Sequence, residues 1–101
     1  MKRILIGLPL MLLLLTACLR TDEYSPAANA TGEDVFNNAC IGCHQPKEGG
    51  HYFELDSGMA NVAAISARVS KGGFIMPAFP NIKDELMHSL SEYVLTLNKA
   101  E

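Results

Sequence analysis

The chain predicts an all-α domain of three to four short helices joined by long loops. Three observations predict it. Apolar residues recur at helical spacing in three stretches, no stretch alternates as a half-buried strand does, and the connections are rich in glycine and proline. A chain of 101 residues is one domain at most, and part of this one reads as processing signal.

Lys2 and Arg3 precede an apolar run from Ile4 to Leu15, and small residues follow before Cys18. That layout predicts a secretory signal over residues 1–17. A permanent span would take about 20 apolar residues, and this run is shorter and contains Pro9. Leu15-Thr16-Ala17-Cys18 resembles the lipobox of bacterial lipoproteins, in which the signal is cut before the cysteine and the cysteine receives lipid. The plainer alternative is ordinary cleavage nearby with Cys18 incidental, although a lone exported thiol is unusual. Acyl burial contributes about 0.8 kcal/mol per methylene, so several chains on Cys18 hold a protein at a membrane without a spanning helix.

Cleavage there leaves 84 residues with six Lys or Arg against eleven Asp or Glu, a formal charge of −5. That balance argues against a nucleic-acid partner. The acidic residues are scattered and read as a solvated surface. So short a chain, lacking tryptophan, builds a small core, and chains of this size often lean on an added centre such as a metal, a disulfide or a cofactor.

Residues 18–31 are polar, carry Pro26 and show no sustained period, which predicts a tether ahead of a domain at 32–101. Thr31 is placed to cap a first helix from Gly32 to about Cys43, with Glu33 and Asp34 in its first turn and Val35, Phe36 and Ala39 on its apolar side. Gln45 to Ser57 contains Pro46, Gly49 and Gly50 and reads as loop. Met59 to Lys71 places Val62, Ile65 and Val69 at helical spacing and stops at Gly72-Gly73. The stretch FIMPAFP, with Pro77 and Pro80, is irregular. From Asp84, Leu86, Leu90, Tyr93 and Leu97 recur at helical steps with Met87 and Val94 beside them.

The chemistry lies in Cys40-Ile41-Gly42-Cys43-His44. On a helix these three side chains fall within about a 100° arc and can meet one object. Zinc would need about four ligands, and His51 and His88 form no ligand pair in sequence. A dithiol redox pair calls for a βαβ setting that the pattern lacks. C-x-x-C-H is the attachment motif of c-type haem: Cys40 and Cys43 would bind the macrocycle covalently and His44 its iron.

A sixth ligand decides what such a centre does. Met76 sits in the loop between Gly72-Gly73 and Pro77, off any apolar helical stripe, and a thioether opposite histidine favours electron transfer over substrate chemistry. Core packing competes with that reading of Met76. Met59, at an expected helix start, fits core filling better, and His51 is close in sequence to His44 for an opposing ligand. His88 is about 200° from Leu86 and is expected to face solvent.

With these motifs the chain resembles the small bacterial monohaem class I cytochromes c, from Gly32 to about Leu97. Gly32 and Phe36 ahead of CIGCH are similar to that family's N-terminal helix, Met76-Pro77 to its ligand loop, and Leu90 with Tyr93 to the C-terminal helix crossing the first. The resemblance implies a class I cytochrome c-like fold, its short helices and long loops wrapped around one covalent haem. It also implies a glycine where helix axes approach closely, with Phe36, Leu90 and Tyr93 at the interface. The family's Gly-Pro pair after the haem motif, whose carbonyl accepts the proximal imidazole N–H, has no counterpart in HQPKEGGHYFELDSG, so another acceptor for His44 is expected.

The expected function is a membrane-tethered carrier of single electrons between a redox donor and acceptor, with no bond chemistry on a substrate. It would be a monomer, exported to the periplasmic or other extracytoplasmic face and anchored by lipid. Phe74, Ile75, Ala78 and Phe79 flank Met76 and form either an apolar docking rim or part of the core. Two other classes stay open: a haem sensor in which a diatomic gas displaces Met76, and the electron-entry subunit of a larger oxidoreductase.

Overall fold

A computed structural model describes residues 20–99; the expected signal at 1–17 and Cys18 lie outside the described residues. Three helices form, α1 over Gly32–Val35, α2 over Val62–Lys71 and α3 over Asp84–Thr96. Among the described residues there is no strand, only two isolated bridges, and no helix long and apolar enough to cross a membrane.

Helix α1 starts where a capping residue permits. Thr31 is extended, its hydroxyl accepts from Asp34 N–H at 3.1 Å, and the Asp34 carboxylate accepts from Thr31 N–H at 2.9 Å. Two amides that the first turn leaves without partners are thereby satisfied. The Thr31 backbone N–H, and then its hydroxyl, hold the Asp34 carboxyl below its ordinary pKa of 3.8. A lowered folded-state pKa gives stability that is complete above the unfolded value and lost as pH falls through the folded one. Thr31→Ala should therefore cost about 1 kcal/mol at neutral pH. The variant should also lose less stability than the wild type below pH 3.8, because only the backbone bond remains to favour the ionised Asp34. Thermal unfolding at two pH values checks both.

The first helix is shorter than the expected span to Cys43. It widens into a π-helical turn over Phe36–Cys40, closed by Ile41 N–H to the Phe36 carbonyl at 3.0 Å, and then ends. The wide turn accompanies the burial of Phe36, which is 1% exposed. Its ring meets Tyr52, Tyr93 and Phe53 edge-on at centroid distances of 5.5, 5.7 and 6.1 Å. Removing a side chain of this size from water contributes about 2–3 kcal/mol, and each aromatic contact adds roughly 0.5–1.5.

Helix α2 begins three residues after the expected Met59. Asp56 accepts from Met59 N–H in a preceding turn, and the Asn61 side chain caps α2 by accepting from Ala64 N–H at 2.8 Å. Ile65 and Val69 are buried, as their spacing requires. Helix α3 matches its expectation: Met87, Leu90 and Val94 are buried, with Leu86 and Tyr93 half-buried beside them. Ser91, also buried, donates to the Met87 carbonyl at 2.9 Å and lies 2.8 Å from Ser66 Oγ, which joins α3 to α2.

Helices α1 and α3 touch backbone to backbone. A methyl on Gly32 would lie 2.6 Å from the Ser89 carbonyl carbon and 2.8 Å from Leu90 N. The loop after the motif is tied to the chain end, with Tyr52 and Phe53 donating to Leu97 and Lys99 donating back to Phe53. Residues 20–24, expected as tether, pair with the domain instead of standing clear of it: Asp22 N–H donates to Ala78 at 2.8 Å, Ala78 N–H to Arg20 at 3.2 Å, and Tyr24 packs on the core.

Candidate functional site

The C-x-x-C-H motif sits where the π turn gives out. Cys43 and His44 both donate from their backbone N–H to the Cys40 carbonyl, at 3.1 and 2.9 Å, so the last two members occupy a tight turn and not a continuing helix. Cys40 is 9% exposed and faces inward, His44 is half-buried, and Cys43 is exposed. The arc expected from regular helix geometry is thus replaced by a corner that presents one thiol inside and the other outside.

Cys40 and His44 open onto a cavity of about 80 Å³ between the helices. Phe36, Ile65, Val69, Leu90 and Val94 line it, with Phe53 and Leu55 from the loop. Met76 and Met59 both line it. The apolar lining suits a haem face, and the Cys40 thiol and His44 imidazole at its edge are donors that c-type haem uses, although a haem exceeds this volume and the walls would have to part to admit it. Arg68 is the charged side chain on the lining.

The electrostatics agree with that use. Burial, then the charge of Asp22 and then Cys43, push the Cys40 thiol up to about 11, so it is not a poised thiolate of the kind redox dithiols employ. Burial, followed by the nearby Lys47, holds His44 below its ordinary 6.5, which leaves the imidazole neutral and its lone pair free for a metal. The ring packs on Phe53 at a centroid distance of 4.9 Å.

Met76 is held by its loop. Gly73 N–H donates to the Met76 carbonyl at 2.8 Å, and Phe79 N–H to Val69 at 2.9 Å. Gly72 has φ +75, and a Cβ there would meet the Met76 carbonyl oxygen and Ala78 N at 2.8 Å, so the glycine both turns the chain and admits the methionine loop. The contrast drawn between Met76 in a loop and Met59 at a helix start does not hold, since Met59 also lies in a turn and lines the same cavity.

The remaining histidines are elsewhere. His51 Nε2 lies 2.9 Å from Glu54 in a separate cleft with Lys99, and exposed His88 pairs with Glu92 at 2.9 Å. Among the described residues no three His, Cys, Asp or Glu side chains converge to hold a metal ion, so a zinc site is not assembled. The loop residues expected as rim or core divide: Phe79 is buried, Ala78 half-buried, and Phe74 and Ile75 are exposed. Arg68, the capping Asn61 and the Ser66–Ser91 link had no signal in the pattern of apolar residues; only Asn61, a capping type ahead of Val62, was there to be read.

Comparison with known proteins gives one family. No curated protein and no solved structure matches the chain. The family described as cytochrome C oxidase, cbb3-type, subunit III matches residues 27–94, from before the Thr31 cap to Val94 in α3. The match takes in the C-x-x-C-H corner, the cavity and the Met76 loop. With its all-α fold and apolar cavity behind that corner, the chain belongs to this family of cytochrome c domains and is a small monohaem class I cytochrome c.

Proposed function

We propose that the protein is a membrane-tethered carrier of single electrons that holds one covalent haem and passes charge between a donor and an acceptor protein. The observation that carries this reading is the convergence of Cys40, His44 and Met76 on one apolar cavity. Haem, when bound, supplies a one-electron iron couple. Cys40 and Cys43 would hold it through thioether bonds, for which exposed Cys43 must turn toward the cavity that Cys40 already faces. His44 would offer its neutral imidazole and Met76 its thioether to the iron, a ligand pair that favours a raised potential and electron transfer. Arg68 suits the carboxylates that a haem carries.

The tether would be the lipid expected on Cys18, outside the described residues, holding the domain at an extracytoplasmic membrane face. Redox titration with optical spectra tests the carrier reading. A single one-electron wave and slow or incomplete carbon monoxide binding to the reduced protein are expected; rapid, complete binding would indicate a gas sensor instead. The family's description favours a second reading, an electron-entry subunit of a larger oxidoreductase. Stable co-purification with such a complex from native membranes would support it.

A further inference from the structure

We infer that the turn tip Phe74–Ile75, flanked by Arg20 and Lys71, lies against the lipid surface that holds the anchor, so that the Met76 loop faces the membrane. This rests on the reading that Cys18 carries lipid. Phe74 and Ile75 are the large hydrophobic residues exposed among those described, at 102% and 76%. They are the two central residues of the turn closed by Gly73 N–H and the Met76 carbonyl. Such positions ordinarily take Gly, Asn, Asp, Ser or Pro, so two bulky apolar side chains there want a covering surface.

The path of the chain says which surface. Arg20 donates from its guanidinium to the Ile75 carbonyl at 3.3 Å, and its own carbonyl accepts from Ala78 N–H. Cys18 is two residues upstream of Arg20 in sequence, and two residues of chain reach at most about 7 Å. Acyl chains on Cys18 therefore enter a bilayer beside the turn. Arg20 and Lys71 share a cleft with Phe74 and Ile75. Basic groups at a rim suit anionic headgroups, and the apolar pair suits the layer beneath. On a mature chain of charge −5, this corner sets basic groups beside apolar ones in the combination that suits such a surface.

The test uses the full chain, matured with haem in its own membrane, carrying a benzophenone photocrosslinking side chain in place of Phe74 and, in a second preparation, of Ile75. An unchanged haem spectrum certifies the fold. Irradiation should give lipid adducts as the main product, reduced about 100-fold by Cys18→Ser, the lower end of what tethering contributes. Adducts mainly with another protein would assign the tip to a redox partner and overturn the inference. Absence of adducts would overturn it as well. The mass of the N-terminal peptide separates the two failures: a lipid-bearing Cys18 without lipid adducts at the tip sinks only the docking surface, whereas an unmodified Cys18 sinks the anchor and the inference with it.

Discussion

Gly32→Ala should lower the unfolding temperature of the domain by up to about 16 °C. The added methyl would sit 2.6 Å from the Ser89 carbonyl carbon and nearer still to its oxygen. Both belong to the backbone of α3 and cannot rotate aside, so α1 and α3 must separate. Separation opens the interface at which Phe36 and Leu90 are 1% and 0% exposed. Overpacking of this kind costs up to about 3 kcal/mol, and alanine's better helix propensity returns at most ~1. In a domain of this size each kcal/mol shifts the midpoint by about 4–8 °C. Calorimetry of the haem-bearing protein measures it; a midpoint equal to wild type would mean that the helices do not cross as closely as Gly32 allows.

Met76→Ala should lower the reduction potential by tenths of a volt, within the ~0.8 V that axial ligands span. The oxidised protein should lose its far-red charge-transfer band from sulfur to iron, and the reduced protein should bind carbon monoxide quickly. Met59→Ala is the necessary companion, because both methionines line the cavity. It should leave band, potential and gas binding unchanged and cost only packing. The loop hydrogen bonds at Gly73 and Phe79 and the fit of Gly72 under the Met76 carbonyl give Met76 a fixed seat. If the band survives in Met76→Ala and vanishes in Met59→Ala, the distal role passes to Met59.

What the sequence made legible were the features that depend on local chemistry. Thr31 ahead of two acids marked the start of α1, and the Leu86, Leu90, Tyr93 and Leu97 spacing marked α3, because capping and helical period act over a few residues. The C-x-x-C-H corner stood out because its spacing has one leading chemical use. Other features depend on the whole fold. The π turn at Phe36–Cys40 goes with the burial of one ring among Tyr52, Phe53 and Tyr93, none of them neighbours in sequence. Residues 20–24 lack any period, since their order comes from Ala78 and Asn81, more than fifty positions away. Ser91 resembles any polar helix residue until Ser66 is seen beside it. The turn at Asp56 removed Met59 from α2, and with that the ground for preferring Met76 moved from helix periodicity to loop geometry.

The most direct measurement is the mass and colour of the mature protein after denaturation and acid–organic extraction, made in cells that ligate haem. The account predicts a polypeptide that stays coloured and heavier by one haem, with the increment lost when Cys40 and Cys43 are both replaced by alanine. A colourless chain that is nonetheless folded, or a pigment that partitions away from the polypeptide, would contradict it.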